Sequence, residues 1–502
     1  MTTKPTYSTG PRTPNLDPRT PVIVGVGVAT QSVDEPGAGL EPIELMLAAT
    51  RAAAADAGSD ALLPAVQRIA VPAGNWKYSD PGRLVGDAIG AEGAHTSLVQ
   101  VGIPQQTLFD DAYLAIRAGT VDVALVVGGE AMRRATVARR AGVEAHETEQ
   151  TGVNPDELQL PSGEIITKLE IAGGIASPMA PFAIIDSALR AAEGLTIPQH
   201  LDEINTLYAG FSAVAATNPH AAFPTPRDPE FLRTPTEKNR PMAFPYNKWH
   251  CAQMNVDQAA AILVCSLAAA TRLGVDPQRF VFPIVALESS LSVPVSQRAD
   301  IHRWPAMEVL GAAAEAHLGY PLRDIGPVEL YSCFPAAVRV QQRALGLPSD
   351  GIPTITGGEA FAGGPWNNFV LQTTAAMVER VRRTPGEPGL VSTLSGLMNK
   401  PGLAVYSTDP GDAPLLVGDL AEAADAATGR RTVVEGYVGT ATAAAYTVFF
   451  EGLDPVRTTV IADTPAGDRC IAVCADADLA LRATREELIG TQIAVDGTTF
   501  RA

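Results

Sequence analysis

The chain is poor in cysteine and in aromatic side chains, and it contains no long apolar run. Five cysteines at irregular spacing in 502 residues are too few for a disulfide framework, so a reducing compartment is expected. Aromatic residues make up only 6% of the chain, so its core must be built mainly from Ala, Val, Leu and Ile. No stretch approaches the roughly 18 consecutive apolar residues that span a bilayer, and the first residues lack the apolar core of a signal peptide. These absences predict a cytoplasmic protein.

Positive charge is also scarce. The chain has 37 Lys and Arg against 55 Asp and Glu, a net charge of −18. Such a surface repels the phosphates of nucleic acids and the headgroups of anionic lipids, so neither is an expected partner. The seven histidines show no pair at the spacing of a zinc site, and no metal is predicted.

The order of apolar segments predicts an α/β fold. After residues 1–20, a Thr- and Pro-rich stretch that predicts a mobile arm, a β-branched strand at Val22–Ala29 precedes an Ala-rich helix at Pro42–Gly58. A helix at Gln106–Gly119 then precedes an apolar strand at Val121–Gly129. Alternating strands and helices of this kind indicate a mostly parallel sheet covered on both faces.

The rest of the chain divides by composition. Residues 133–250 are irregular and predict an insertion that lies over the main sheet; long insertions of this kind are often functional. The helix-then-strand order returns after residue 255, which suggests a duplication into two similar halves. Short strands separated by Gly, Asp and Pro follow residue 410 and predict a small antiparallel barrel. The predicted domains are therefore 21–255, 256–409 and 410–502.

Two glycine- and proline-containing turns each precede a predicted helix. Gly363 and Gly364 lead into one helix, and Gly102 leads into the helix at Gln106–Gly119. Exposed N–H groups at such a turn bind an anion or a thioester oxygen, with Gln105 and Asn367 supplying amide groups. The alternative is that Gln105, and Asn367 or its neighbour Asn368, simply cap the helices.

Six segments, taken together and in order, resemble the thiolase superfamily. The resemblance is to its sterol-carrier-protein-thiolase-like branch of type 1, whose members carry the name acetyl-CoA acetyltransferase. It covers roughly residues 20–408. It implies a duplicated thiolase fold of five layers, α/β/α/β/α, with an inserted loop domain, and the C-terminal barrel is similar to the extra, OB-like domain of type 1 proteins. The segments are TPVIVGVG, EPIELMLAATRAAAADAG, IRAGTVDVALVVGGEAM, NVDQAAAILVCSLAAATRLGV, GPVELYSCF and GGEAFAGGPWNN.

The resemblance also implies where catalytic groups belong. An active thiolase uses a nucleophilic cysteine at a helix start, a histidine in a Gly-His-Pro turn and a second cysteine in a Cys-x-Gly turn. The nucleophile position falls at Gly102 and the histidine position at Gly364 in this chain. The second cysteine belongs to the segment VSTLSGLMNK, where Ser395 stands and no cysteine occurs. Thiolysis and Claisen condensation by the cysteine mechanism are therefore not expected.

One catalytic turn of the family persists in altered form at Tyr331-Ser332-Cys333-Phe334. Tyr331 is either a packed side chain or a proton-transfer group, and the second role needs a neighbouring charge that lowers its pKa. Cys333 stands where the family has a cysteine that is not the nucleophile, and a small buried thiol is the favoured interpretation.

These residues support three functional hypotheses. The leading one is a binder of CoA or acyl-CoA esters in lipid metabolism, with no tightly bound cofactor. A second is a carbon–carbon lyase that works by retro-aldol cleavage of a CoA ester through Tyr331. A third is a noncatalytic scaffold whose barrel recruits a protein partner. The oligomeric state is left open between monomer and dimer. The predicted catalytic residues are Tyr331 and Cys333, and the predicted substrate-binding residues are Gly102, Gln105, Gly363, Gly364, Asn367 and Ser395.

Overall fold

The computed structural model describes residues 16–502, so most of the predicted N-terminal arm at residues 1–20 lies outside the described residues. Within that range, no helix is both long enough and apolar enough to cross a membrane.

The first half alternates strands and helices as predicted. The predicted strand at Val22–Ala29 lies within β1, and the predicted helix at Pro42–Gly58 is confirmed, with Gly58 ending it in the left-handed conformation at φ 71°. The elements are β1 (Pro21–Gln31), α1 (Pro42–Ala57), β2 (Arg68–Pro72), α2 (Pro81–Ile89), β3 (His95–Val99), α3 (Gln106–Ala118), β4 (Val123–Ala131) and α4 (Met132–Ala141).

An irregular, partly helical segment follows α4 and separates β4 from β8 (Asp257–Ser266), which are neighbouring strands of the first sheet. Its elements are β5 (Glu157–Gln159), α5 (Lys168–Ala172), α6 (Met179–Ala192), α7 (Ile197–Ala215), α8 (Pro229–Arg233), β6 (Pro241–Ala243) and β7 (Tyr246–Asn247). The short strand β5 pairs in parallel with β3 and so covers an edge of the first sheet.

The segment after the insertion forms the remaining strand of the first sheet and most of the second sheet. The elements are β8 (Asp257–Ser266), α9 (Leu267–Arg272), β9 (Phe282–Glu288), α10 (Pro305–Leu318), β10 (Val328–Glu329), α11 (Pro335–Ala344), α12 (Gly358–Phe361), α13 (Phe369–Arg383), β11 (Gly389–Ser395) and β12 (Lys400–Ser407). The first sheet has the strand order β1-β8-β4-β2-β3-β5, and β8 runs antiparallel to both of its neighbours.

The last part contains β13 (Leu416–Asp419), α14 (Ala421–Ala427), β14 (Val438–Glu451), β15 (Asp454–Asp463), β16 (Arg469–Cys474), α15 (Ala477–Ala483), β17 (Gln492–Asp496) and β18 (Thr499–Arg501). The second sheet has the order β10-β11-β12-β9-β13. It therefore takes up a strand, β13, that lies beyond the predicted boundary at residue 410, because β13 pairs in parallel with β9. The domain boundaries themselves stay predictions.

Two helices lie between the sheets. Both α3 and α13 contact strands of the first sheet and strands of the second, so they form the central layer. Buried polar side chains in this layer lie at the starts and in the first two turns of the two helices. The duplicated α/β fold predicted from the sequence is confirmed, and its central layer positions the candidate site.

The C-terminal strands close into a five-stranded barrel in the order β14-β15-β16-β18-β17-β14. All pairs are antiparallel except β16 with β18, and α15 lies between the third and fourth strands, an arrangement of the OB type. The barrel is attached to the insertion because β6 pairs with β14. Arg190 of α6 is completely buried and donates hydrogen bonds to Glu487 and to the hydroxyl of Tyr446, both in the barrel domain.

Candidate functional site

The start of α3 is formed by a glycine turn. Gly102 is buried and has φ 98°, a left-handed conformation that favours glycine. A Cβ atom built on Gly102 would lie 3.0 Å from Ile165 Cδ1 and 3.0 Å from Pro161 Cβ. The space beside the predicted nucleophile position is therefore occupied by two side chains of the insertion.

The start of α13 is formed by a second glycine turn. Gly363 has φ 111°, and a Cβ built on it would lie 2.4 Å from Gln258 Oε1. The Gln258 side chain donates from Nε2 to the carbonyl oxygen of Ala362 over 2.8 Å, which holds it against the turn. A Cβ on Gly364, the predicted histidine position, would lie 3.2 Å from Glu359 Oε2.

The two helix starts meet through their amide side chains. Gln105 Nε2 donates to Asn367 Oδ1 over 2.7 Å, and both residues are buried. Asn368 is also buried, and neither polar atom of its side chain has a hydrogen-bond partner among the described residues; the same holds for Gln105 Oε1. Buried amides of this kind bind ordered water or a ligand in the folded protein.

The capping interpretation of these amides is wrong. Gln105 and Asn368 stand at the N-cap positions of α3 and α13, but neither side chain accepts a hydrogen bond from the first turn of its helix. The oxygen of Asn367 is taken by Gln105 instead. The hydrogen bond between Gln105 and Asn367, which joins the two halves of the core, is thus formed in place of the local N-cap hydrogen bonds.

Tyr331 is buried at the edge of the site and packs against Phe369, with their rings edge-on and their centroids 5.9 Å apart. Burial raises the pKa of its hydroxyl well above the usual value, and the neighbouring Glu359 and Cys333 raise it further. This direction is opposite to the one that a proton-transfer role at neutral pH requires. The packed-side-chain interpretation fits the geometry better.

Cys333 is a buried thiol. Burial raises its pKa well above the usual value, and the charge of Glu359 adds to the effect. Its carbonyl oxygen accepts a hydrogen bond from the backbone N–H of Ala252, which ties the turn to the end of the insertion. A thiol held in its neutral form is a poor nucleophile, which supports a packing role.

Glu359 is a buried carboxyl that the sequence analysis missed. It lies between the Tyr331–Phe334 turn and Gly364, and its backbone N–H donates to Ser332 Oγ over 3.1 Å. Burial raises the pKa of Glu359 to about 8, and its Oε1 has no hydrogen-bond partner among the described residues. An acidic residue in a Gly-rich segment is expected to be exposed, so nothing in the local sequence predicted that Glu359 is buried.

Lys400 is a second buried residue of the site that the sequence did not predict. Its side chain is 1% exposed, and Nζ donates to the carbonyl oxygen of Gly102 over 3.0 Å and to that of Ser162 over 2.6 Å. It begins the strand after the turn that contains Ser395 and Gly396, and a Cβ on Gly396 would lie 3.2 Å from Ile165 Cγ2. Gly102 and the turn that contains Ser395 therefore both contact the side chain of Ile165, through its Cδ1 and Cγ2 atoms respectively.

A pair of buried carboxyl groups lies beside the first turn of α3. Thr107 Oγ1 donates to Glu288 Oε2 over 2.6 Å, and Gln106 Nε2 donates to Asp110 Oδ1 over 2.7 Å. Burial raises the pKa of Glu288 to about 7 and also raises that of Asp110, which the charge of Glu288 raises further. Both groups therefore favour the protonated form more than exposed carboxylates do.

A groove of about 500 Å³ reaches the site from the side of α13. Gly363 and Gln258 form its inner end, and Arg380 and Arg383 lie at the far end of the helix. Gln372 faces this groove, and both polar atoms of its side chain lack a partner among the described residues. A ligand in this groove would therefore contact the Gly363 turn. Among residues 16–502, no three His, Cys, Asp or Glu side chains converge as metal ligands.

No family model and no curated protein sequence matches the chain. Solved structures do match. An Ltp2-ChsH2(DUF35) aldolase has 20% identity over 78% of this chain and 98% of that one, with a TM-score of 0.58. The human mitochondrial 3-ketoacyl-CoA thiolase in complex with CoA has 16% identity over 78% of this chain and 98% of that one, with a TM-score of 0.53. At these identities the likeness shows the thiolase fold alone.

A third structure is similar over nearly the whole chain. It is a monomeric SCP2-thiolase-like protein type 1 from Mycobacterium smegmatis, with 30% identity over 97% of this chain and 99% of that one, and a TM-score of 0.82. At 97% of this chain, the match extends into the C-terminal barrel, whereas the thiolase match leaves about a fifth of the chain uncovered. By its identity over the full length, together with the duplicated core and the closed barrel, this chain belongs to the SCP2-thiolase-like proteins of type 1.

Proposed function

We propose that this protein binds CoA esters at the junction of α3 and α13 and does not transfer acyl groups through a cysteine. The observation that carries the proposal is the environment of Gly102. The family resemblance places the nucleophile there, yet Gly102 has no side chain, its φ of 98° disfavours any other residue, and a Cβ there would approach Pro161 and Ile165 to 3.0 Å. Substrate binding and acyl transfer are separable because only the latter requires the nucleophile.

The second catalytic position supports the same proposal. At Gly364 the imidazole of the family is replaced by a glycine beside the buried Glu359. A carboxyl with a pKa of about 8 is largely protonated at neutral pH and donates a hydrogen bond rather than accepting a proton. Such a group suits a carbonyl oxygen as ligand, and so do the unpartnered amides of Gln105 and Asn368.

CoA is the ligand that the fold favours. A thiolase of the same fold was solved in complex with CoA, although at 16% identity that likeness is one of fold. In this chain the groove along α13 is lined by Gly363, Arg380 and Arg383. The two guanidinium groups can bind phosphate groups, although Arg383 lies 3.5 Å from Glu379, which also lines the groove, and Arg380 lies 3.8 Å from Glu387. The volume of about 500 Å³ lies within the range of small-molecule sites.

Calorimetric titration of the full chain with CoA, acetyl-CoA and a long acyl-CoA tests the proposal. Saturable binding that depends on the acyl group is the expected result, together with no thiolysis of a 3-ketoacyl-CoA. Efficient thiolysis would overturn the claim about chemistry. Absence of binding to all three ligands would overturn the claim about the ligand and would favour the scaffold hypothesis.

A carbon–carbon lyase is the second candidate, because a structural neighbour is named an aldolase. In this chain the hypothesis assigns proton transfer to Tyr331, whose raised pKa opposes that role. If turnover of a β-hydroxyacyl-CoA is detected and Tyr331→Phe leaves it unchanged, Tyr331 is not the proton-transfer group.

We also propose that the protein is a monomer in a reducing compartment, in keeping with the predicted cytoplasmic location. The free edge of β3 is covered by β5 of the same chain, through the register Ser97 with Glu157 to Val99 with Gln159. β3 is therefore not available to a second copy, and β5, the terminal strand, is only three residues long and offers little backbone for pairing. All five cysteines are free thiols.

A further inference from the structure

A short segment of the insertion lies across the predicted nucleophile position. We call residues 160–165, LPSGEI, the strap. The strap follows β5 directly and is held to the second half of the chain through its backbone. Ser292 Oγ donates to the carbonyl oxygen of Glu164 over 2.6 Å, and Lys400 Nζ donates to that of Ser162 over 2.6 Å.

The strap contributes few buried atoms. Residues 160–164 are all exposed; for example, the side chain of Leu160 is 66% exposed. Its main apolar contact is Ile165, which packs between Gly102 and Gly396. Segments that bury little apolar surface and are held by a few hydrogen bonds open at a lower free energy than the core does.

Lys400 lies directly beneath the strap. Its ammonium group binds two neutral carbonyl oxygens, one on the fixed turn at Gly102 and one on the strap at Ser162. Among the described residues, no carboxylate forms a hydrogen bond or ion pair with Nζ; the charges of Glu288 and Asp419 act on it from a longer distance, and Oε2 of Glu288 accepts a hydrogen bond from Thr107. Burial lowers the pKa of Lys400 even though these two distant carboxylates raise it, so the desolvation cost is not fully offset and a carboxylate in direct contact with Nζ would offset more of it.

We propose that the strap is a lid and that Lys400 beneath it binds a carboxylate carried by the acyl group of the ligand. This inference rests on the proposed function, since it names the class of CoA ester that the site accepts, a dicarboxylic monothioester. When the strap lifts, Ser162 withdraws its carbonyl oxygen from Nζ. A carboxylate oxygen then takes its place, while the bond to Gly102 remains. Charge-assisted hydrogen bonds of this kind are about twice as strong as neutral ones.

The first test compares esters that differ only in the carboxylate. Malonyl-CoA and propionyl-CoA have acyl chains of equal carbon number, and glutaryl-CoA and pentanoyl-CoA form a longer matched pair. By calorimetry at fixed ionic strength, we expect at least one charged ester to bind about tenfold more tightly than its uncharged match. Equal affinities within both pairs would overturn the role of Lys400 but leave the proposed function intact. Absence of binding by all four esters would overturn the proposed function itself.

Variants assign the preference to the lysine. Lys400→Met removes the charge at similar length and should abolish the preference, while Lys238→Met, at an exposed lysine elsewhere in the insertion, should retain it. A preference that survives Lys400→Met would overturn the proposal. Because Lys400→Met leaves two carbonyl groups unsatisfied, its folding is checked by circular dichroism.

Hydrogen exchange on the wild-type chain tests the lid without any substitution. Saturating malonyl-CoA or glutaryl-CoA should speed exchange of the strap amides and leave the barrel turn at residues 464–468 unchanged. Ile165→Ala, which removes the contact between Gly102 and Gly396, should tighten binding several-fold because less free energy is needed for opening. Leu160→Ala is the matched control on the same strap. Strap amides that slow on binding, or an Ile165→Ala variant that binds no better than Leu160→Ala, would overturn the lid.

Discussion

Gln105 Nε2 donates a hydrogen bond to Asn367 Oδ1 over 2.7 Å and so joins the start of α3 to the start of α13. The two residues are 262 positions apart and belong to different halves of the duplicated core. Both are buried, so the bond is shielded from water and sets how the two helix starts face each other. The candidate site depends on this relationship, since its glycine turns stand on either side of it.

Replacing either amide should destabilise the protein, and replacing both should destabilise it by less than the sum. Gln105→Leu leaves the Asn367 side chain unpaired, and Asn367→Leu does the same to Gln105, each at about 1–3 kcal/mol in free energy of unfolding. The double variant removes both, so the coupling energy should be about 1 kcal/mol. Urea denaturation measures it, with Gln278→Ala at an exposed site as control. Strictly additive losses would contradict a net contribution from the bond.

The elements of the core could be predicted because their signals are local. The β-branched strand β1, the Ala-rich helix α1 and the helix α3 each carry their pattern within about 15 residues. The resemblance to thiolases then supplied the order of layers. The barrel was also predicted, since its strands are separated by turn residues at regular spacing.

The contacts of the site could not be predicted because they join distant segments. The partners of Lys400 are Gly102 and Ser162, which lie 298 and 238 residues away. The insertion was expected to lie over the main sheet, but nothing local in LPSGEI indicates that Ile165 enters the space beside Gly102. Burial of Glu359 likewise follows only from the packing of the Tyr331–Phe334 turn against it.

Buried carboxyls should make the protein less stable as pH rises. Burial raises the pKa of Glu130 and Glu359 to about 8 and that of Glu329 to about 7. The unfolded chain loses these protons near pH 4.5, whereas the folded chain keeps them until about pH 7 to 8. The folded state therefore binds more protons in this window, and the free energy of unfolding should fall between about pH 5 and pH 8.

Glu359→Gln tests this dependence at one residue. The amide keeps the shape but does not titrate, so the fall in stability across the window should be reduced, by up to about 1.4 kcal/mol per pH unit. Urea unfolding at pH 5, 6, 7 and 8 measures the slope, with Glu237→Gln at an exposed position as control. An unchanged slope in Glu359→Gln would show that this carboxyl does not hold its proton in the folded state.

The barrel should detach when the partner of Arg190 is removed. Arg190 is completely buried in α6, and Glu487 accepts from its Nε and Nη2 over 2.9 and 3.0 Å. Glu487→Ala leaves a buried guanidinium with only the Tyr446 hydroxyl, a loss of about 3 kcal/mol. Limited proteolysis between α14 and β14 should accelerate, and the thermal midpoint should fall. Glu486→Ala, at the exposed neighbouring residue, should leave both unchanged.

The protein should be monomeric at micromolar concentration. Because the first sheet ends beyond β3 in β5, a strand of only three residues, it offers a second copy little backbone to pair with at that edge. Size-exclusion chromatography with light scattering should give the chain mass of 52.4 kDa. A species of twice this mass that persists on dilution would contradict the prediction and would place the interface on another surface.

Only one of the five thiols should react with a thiol reagent in the folded protein. Cys474 is partly exposed at the end of β16, whereas Cys251, Cys265, Cys333 and Cys470 are buried. Burial also raises the pKa of Cys333, so its reactive thiolate is scarce at neutral pH. Titration with a disulfide reagent at pH 7.5 should therefore show one fast thiol, which Cys474→Ser removes and Cys333→Ser leaves in place. A fast phase that disappears in Cys333→Ser instead would mean that this thiol is accessible and activated, and it would restore cysteine chemistry to the site.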